Sequence, residues 1–350
     1  MAAGPPRLRR RTRLPQQVLV TWPDYDVESE RLGGALTRAG LTVRLEPKNS
    51  ERTPADVHAL VAQAAAAIVS TDPFNADVLA SNPQLRVIAR VGVGVDSIDL
   101  EAATACGVAV TVTPGANEST VADHTIALML AALRRLCEHD AGVRRGEWNR
   151  TGPNAPWVLS GATVGLIGYG RIGRLVRKRL EGFAVEVLVT DPVEPDDPGV
   201  TRVSLAELLA ASDVVSLHAP LLPSTRGMIG TAELERMRPH AVLVNTARGG
   251  VCDESALADA LESGRLRAAA LDVFEQEPPL SSRLLALPNV VLSPHNAGLS
   301  VQSIEEMTRR ATASVIDVLV GRHPEHLANP EVLRHAAFAE ASVSAGAQRG

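Results

Sequence analysis

Aromatic residues make up only 3 % of this 350-residue chain, so its core must be assembled from Ala, Val, Leu and Ile. Cysteine is scarce too. Cys106, Cys137 and Cys252 lie far apart and form no CxxC pair, which argues against a disulfide framework or a zinc site and towards a reducing cytoplasm. No apolar run approaches the roughly 18 residues that a membrane helix needs. Positive charge is not in excess either. The 35 Lys and Arg residues face 40 Asp and Glu, and the net charge of −5 gives no footprint for nucleic acid.

What is present is ordinary for a globular protein: 45 % hydrophobic and 21 % charged residues, in a length suited to two domains. Residues 1–16 hold Arg7, Arg9, Arg10, Arg11 and Arg13 without the apolar stretch of a secretory signal, and are expected to be a disordered basic extension. The Ala/Ser/Gly-rich tail 336–350 is expected to be loose as well.

Between these ends, strand candidates fall at 17–21, 67–70, 86–89, 108–111, 163–167, 185–190, 214–218, 241–245, 268–272 and 290–292. Amphipathic stretches such as 28–39, 171–181, 205–211 and 254–263 separate them. Strict alternation of this kind predicts parallel sheets built from βαβ units. Two longer helical patterns, 119–138 and 300–320, flank the central segment and read as the crossings between two domains.

Val164-Gly165-Leu166-Ile167-Gly168-Tyr169-Gly170-Arg171-Ile172-Gly173 joins an apolar strand to a helix start through a glycine-rich turn. A lone GxGxxG is weak, but this one has the strand before it, the helix after it, and a second strand ending at Asp191. Gly168 allows the turn, Gly170 lets backbone approach a pyrophosphate, and Gly173 allows close packing. The amides of Arg171 and Ile172 would face the phosphates. The Asp191 carboxylate, 18 residues past Gly173, would accept from ribose hydroxyls and repel a 2′-phosphate, so NAD is expected rather than NADP. The competing reading is an ordinary βαβ turn with a surface Asp.

Three polar islands then follow predicted strands: Asn245-Thr246-Ala247-Arg248-Gly249-Gly250, Asp272-Val273-Phe274-Glu275-Gln276-Glu277, and Ser293-Pro294-His295-Asn296. Ligands of open α/β sheets bind outside the carboxyl ends of strands, so an Arg, a Glu and a His can meet there. Gly249-Gly250 predicts close backbone approach to a ligand.

With Arg90-Val91-Gly92-Val93-Gly94-Val95-Asp96, Thr113-Pro114-Gly115-Ala116-Asn117 and Leu217-His218-Ala219-Pro220-Leu221 added, the chain resembles the D-2-hydroxyacid dehydrogenase family over about residues 17 to 335. That family contains D-3-phosphoglycerate dehydrogenase and glyoxylate/hydroxypyruvate reductases. The resemblance implies two doubly wound parallel-sheet α/β domains. A Rossmann NAD-binding domain (113–297) would be inserted in a flavodoxin-like substrate-binding domain (17–112 and 298–335). It also implies His295 as acid/base, Glu277 as the partner favouring its protonated form, and Arg248 as the clamp on the substrate carboxylate. The amides of Gly92, Val93 and Gly94 would complete that carboxylate site. The cofactor set extends to His218, Pro220, Thr246, Ala247, Asp272 and His295, with Asp272 meeting the nicotinamide amide. His124 is intermediate, a helix residue that could equally pack at a domain or subunit seam.

The implied partner is a small 2-hydroxy or 2-keto acid, with no nucleic acid, no membrane and no metal. A homodimer is expected through 119–138, whose Ile126, Leu128, Met129, Leu130 and Leu133 are apolar on more than one side. Formate dehydrogenases share the architecture but place Gln where this chain has Glu277. Phosphite or phosphonate oxidation uses the same three side chains, and corepressors on this fold keep them too. Where phosphoglycerate dehydrogenases often carry Arg-Ser-x-Thr, this chain has Val69-Ser70-Thr71-Asp72, with no cation and an added acid. The stretch 148–160 also departs from the family, with Pro153, Pro156 and Trp157.

Overall fold

The strand–helix alternation resolves into two parallel sheets in a computed structural model that describes residues 16–148, 150, 155–193 and 197–335. The basic extension before residue 16, the tail 336–350 and Pro153 lie outside the described residues. Contacts divide the chain after Ala116 and after Ser300 into two units, each with its own sheet.

The first sheet comprises β1 (Gln17–Val20), β2 (Thr42–Leu45), β3 (Ala64–Val69), β4 (Val87–Arg90) and β5 (Ala109–Thr111). Its order is β2-β1-β3-β4-β5, the flavodoxin-like winding. All six residues of β3, Ala-Ala-Ala-Ala-Ile-Val, are buried. Small side chains on both faces let helices approach closely, and the chain therefore fills its core with few aromatics. The helix Val301–Leu319 packs on β3 and β4, so the end of the chain completes the unit that the beginning starts.

The second sheet comprises β6 (Thr163–Ile167), β7 (Glu186–Thr190), β8 (Thr201–Arg202), β9 (Val214–Leu217), β10 (Val242–Asn245), β11 (Ala268–Leu271) and β12 (Val290–Leu292). Its order, β12-β11-β10-β9-β6-β7-β8, is the dinucleotide-binding winding with a seventh strand added. The order reverses between β6 and β9, where such sheets open a crevice at their carboxyl ends. Among the described residues, no helix is long and apolar enough to cross a membrane.

Four local expectations need correction. Strands β2 and β8 were not anticipated; both are edge strands, β2 half exposed and β8 exposed, and Thr-Val-Arg-Leu and Thr-Arg lack the apolar run that marks the others. The helix expected over 28–39 shortens to Gly33–Arg38, because Asp26 first caps the Glu28 and Ser29 amides (3.0 and 3.1 Å) in turns. A Cβ on Gly33 would stand 1.9 Å from the Val27 carbonyl, so only glycine fits where the helix leaves those turns.

The pattern over 119–138 is not one helix. It ends at Arg134, Arg135 takes φ +51°, and a second helix runs over Leu136–Arg144. The break has a cause: the Trp157 amide donates to the Leu133 carbonyl at 3.0 Å, taking an acceptor the next helical turn would use. Finally, Leu128, Met129 and Leu133 are buried, and Ile126 and Leu130 partly buried, in the core of their own unit. Most of their apolar surface is covered within that unit.

Candidate active site

At the carboxyl end of β6 the glycine-rich turn is built for an anion. Gly168 has φ +95°, and a Cβ there would lie 2.7 Å from the His218 backbone, so no other residue fits. A Cβ on Gly170 would meet nothing within 4 Å, which leaves open space beside the turn. The helix Arg171–Leu180 begins there with no side-chain cap, and its first amides have no protein acceptor among the described residues. Uncapped amides at a helix start suit a pyrophosphate. Asp191 ends β7, and its oxygens accept from the Tyr169 amide at 2.7 Å and the Val193 amide at 2.8 Å. This carboxylate holds the turn in shape, and each oxygen keeps a lone pair for a sugar hydroxyl. The residues present fit a dinucleotide.

The carried-over cofactor residues line the same edge. His218 follows β9; its Nε2 lies 3.0 Å from Ser216 Oγ, and burial pushes its pKa down to about 4, so the ring is neutral. Pro220 is exposed at the lip. Thr246 follows β10 and its hydroxyl is committed to Thr125 Oγ1 at 2.9 Å. The Ala247 amide donates to Asn245 Oδ1 at 3.0 Å, while Asn245 Nδ2 donates to the Arg248 carbonyl at 2.9 Å. Asn245, buried at the strand end, thus braces the loop that carries Arg248.

Arg248, Glu277 and His295 arrive at this edge from the ends of β10, β11 and β12. His295 Nδ1 lies 2.6 Å from Glu277 Oε2, and Glu277 Oε1 accepts from the Phe274 amide at 3.1 Å. Burial alone would raise the Glu277 carboxyl, but the His295 contact, the Phe274 amide and the Arg248 charge together carry it below its usual value. It is a carboxylate at neutral pH. The Arg248 Nη1 donates to the Ala247 carbonyl at 2.7 Å, which folds the guanidinium over its own loop.

The Gly249 expectation is corrected. A Cβ there would stand 1.9 Å from the Phe274 carbonyl carbon, so the close approach is to the backbone leading to Glu277, not to a ligand. Glycine at 249 is what lets the Arg248 and Glu277 loops touch.

Asp272, at the end of β11, is 1 % exposed. Its Oδ1 accepts from Ser293 Oγ at 2.6 Å and the Asn296 amide at 3.0 Å, and its Oδ2 from the Ala297 amide at 2.8 Å. Its backbone carbonyl takes the His295 amide at 2.8 Å. One residue therefore fixes the turn that presents His295. Sequence reasoning missed Ser293 and Asn245 as contributors; the only signal was their place beside strand ends.

In the first unit, the turn after β4 is held from within. The Gly92 amide donates to the Arg90 carbonyl and to Thr113 Oγ1, both at 3.0 Å, and Arg90 Nε donates to the Gly94 carbonyl at 3.0 Å. Among the described residues, the Val93 and Gly94 amides have no protein acceptor. The added acid after β3 is not offered to a ligand. Asp72 is 1 % exposed, with Arg52 Nη1 at 2.9 Å and Thr21 Oγ1 at 2.6 Å.

Residues 126–297 match the family model described as the NAD-binding domain of D-isomer specific 2-hydroxyacid dehydrogenases. The chain is 43 % identical over 273 residues to a glyoxylate reductase of Korarchaeum cryptofilum, covering 75 % of this chain and 82 % of that one. It is 42 % identical over 259 residues to a D-3-phosphoglycerate dehydrogenase of Mycobacterium leprae, covering 73 % of this chain but only 48 % of that longer one. Among solved structures it resembles an NADPH-dependent glyoxylate/hydroxypyruvate reductase of Sinorhizobium meliloti in complex with NADP and malonate. That likeness has a TM-score of 0.78 at 31 % identity and covers 91 % of this chain and 97 % of the other. The chain belongs to the D-isomer specific 2-hydroxyacid dehydrogenase family and is a nicotinamide-dependent oxidoreductase of hydroxy and keto acids.

Proposed function

We propose that this protein reduces a small 2-keto acid of the glyoxylate type to the D-2-hydroxy acid, and runs the reverse oxidation, with NAD as its cofactor. The observation that carries the proposal is the 2.6 Å contact between His295 Nδ1 and the Glu277 carboxylate at the carboxyl edge of a dinucleotide-binding sheet. With Nδ1 engaged, Nε2 is the nitrogen left to give a proton to the substrate oxygen on reduction and take it back on oxidation. The bound nicotinamide supplies or accepts the hydride. Arg248 holds the substrate carboxylate. Asp272 Oδ2, with one protein donor, is the acceptor proposed for the nicotinamide amide. Asp191, placed at the end of β7, supports NAD over NADP.

The test follows NADH and NADPH absorbance with glyoxylate, hydroxypyruvate, pyruvate and phosphorylated 2-keto acids. Turnover with NADH and a short keto acid is expected. No turnover with any of them, or equal use of NADPH, would sink the corresponding part of the proposal.

A homodimer remains part of the reading, on different residues from those the helix pattern offered. Leu136, Val143, Trp148 and Val158 are 61, 55, 76 and 66 % exposed and lie in the segment that follows the helix break. Light scattering at micromolar concentration should give twice the chain mass; a monomer would remove the dimer.

A further inference from the structure

His295 sits at φ +51°, in the left-handed region that a residue with a side chain rarely enters. Such a conformation persists only where its surroundings hold it. Here the hold comes from Asp272, whose carbonyl and two carboxylate oxygens take the amides of His295, Asn296 and Ala297 in succession. The orientation of the Asp272 carboxylate therefore sets where the imidazole points.

That orientation is itself set from outside the turn. Ser293 Oγ lies 2.6 Å from Asp272 Oδ1, and a carboxylate can only accept, so the single hydroxyl proton of Ser293 goes to Asp272. His124 Nε2 lies 2.9 Å from the same Ser293 oxygen. Since the serine proton is spent, His124 Nε2 must be the donor in that contact. The two side chains thus form a directed chain from His124 Nε2–H to Ser293 Oγ–H to Asp272. His124 comes from the helix Glu118–Arg134, so the chain ties the His295 turn to a helix packed under the sheet.

We propose that His124 and Ser293 are positioning residues for the acid/base step, acting through Asp272 to aim His295. The proposal rests on His295 being the acid/base. The competing explanation is that these contacts merely stabilise the fold, and non-additivity separates the two.

The experiment measures keto-acid reduction, NADH affinity by fluorescence titration, and melting temperature. It uses Ser293→Ala, Ser293→Thr, His124→Phe, His124→Gln and His295→Ala, with Ser293→Ala and His124→Phe also made in the His295→Ala background. A displaced acid lowers kcat rather than binding, so Ser293→Ala and His124→Phe should each cut kcat by about 10-fold or more. KM should stay near wild type and NADH affinity should fall less than kcat, while a melting temperature lower by a few degrees is expected in either background from the lost hydrogen bond. Ser293→Thr and His124→Gln, which keep the hydroxyl and an N–H, should recover most of the rate. In the His295→Ala background neither loss should appear, because there is no imidazole left to aim. Equal losses in both backgrounds, or a fall in melting temperature without a fall in kcat, would overturn the positioning role. A wild-type rate in His295→Ala alone would instead overturn the acid/base reading beneath it. If Ser293→Ala does not fold, the half-exposed His124 position decides the question.

Discussion

Among the described residues of the seven-stranded sheet, two histidines lie within hydrogen-bond distance of a carboxylate, one at each end of the strands, and their surroundings differ. His295 and Glu277 meet at 2.6 Å beyond the carboxyl ends of β11 and β12. His240 and Asp213 meet at 2.8 Å before the amino ends of β9 and β10. The partners of each pair tell them apart. Asp213 also accepts the Thr163 amide at 2.9 Å and Arg238 Nη1 at 2.8 Å, while His240 stacks on Trp157 with ring centroids 4.5 Å apart. Arg267 also lies over that indole, 5.2 Å from its centroid. The cluster therefore pins the segment that departs from the family pattern, and Trp157 gains a structural account. Among the described residues, Glu277, by contrast, has one backbone donor besides His295, and the imidazole stands on a left-handed turn with no partner at Nε2. A His–carboxylate distance alone does not mark a catalytic site. Strand polarity and unspent hydrogen-bonding capacity are what favour His295 and Glu277 as the proposed one.

The sharpest way to break this comparison is to remove each imidazole in turn. Proton transfer by a positioned group contributes about 10²–10⁴-fold, so His295→Ala should lower keto-acid reduction by that factor and leave NADH affinity intact. His240→Ala should leave kcat within about twofold and lower the melting temperature by a few degrees, since it removes a hydrogen bond to a charged group. Steady-state kinetics and thermal melts check both. Equal losses of kcat would show that the two ends of the sheet are not distinct in function.

A smaller effect sharpens the role of the carboxylate. Glu277 is held below its usual pKa partly by the His295 contact, so it is a carboxylate that engages Nδ1. Glu277→Gln keeps the size of the side chain and removes that charge. If the carboxylate orients the imidazole for the proposed proton transfer, kcat for keto-acid reduction should fall by about 10-fold or more while NADH affinity stays near wild type. Steady-state kinetics and fluorescence titration check it. An unchanged kcat would show that Glu277 does not support the proposed acid.

How far the sequence foretold these two clusters differs for a physical reason. Gly168, Asp191, Arg248, Glu277 and His295 could be singled out as candidates because each comes after a largely apolar strand, and strand ends are where a parallel sheet delivers its chemistry. That the sheets are parallel followed from the alternation itself; their winding came only with the family resemblance. Edge strands β2 and β8 were not legible, since exposure removes the apolar pattern that reveals the others. The break at Arg135 was hidden because its cause, the Trp157 amide on the Leu133 carbonyl, joins residues 24 positions apart. Gly249 was misread for the same reason: sequence shows that a glycine wants close company, but not that the company is Phe274. The His240–Asp213 pair was missed altogether because neither residue lies in a motif.

The smallest effect concerns that second pair and stability. Burial alone would raise the Asp213 carboxyl, but the Thr163 amide, His240 and Arg238 outweigh it and hold the pKa below the ordinary value. A carboxyl whose folded pKa is depressed contributes stability that is fully present above its unfolded pKa of about 3.9 and is lost as pH falls through the folded value. Asp213→Asn keeps the shape, removes the charge, and leaves the Thr163 amide with a poorer acceptor. Hydrogen bonds to a charged group are worth about 1.5–3 kcal/mol each, though the partial exposure of Arg238 and His240 trims their share. The variant should therefore melt a few degrees below wild type at pH 7. Because wild type loses its advantage on protonation while Asn has none to lose, the gap should be constant from pH 7 to about pH 5 and close below about pH 4. Differential scanning fluorimetry across that range checks it. A gap that stayed constant down to pH 3 would mean that the Asn side chain disturbs packing and that the charge of Asp213 contributes nothing. The kcat of the variant at pH 7 should match wild type, since Asp213 lies at the amino ends of the strands, opposite the proposed active site.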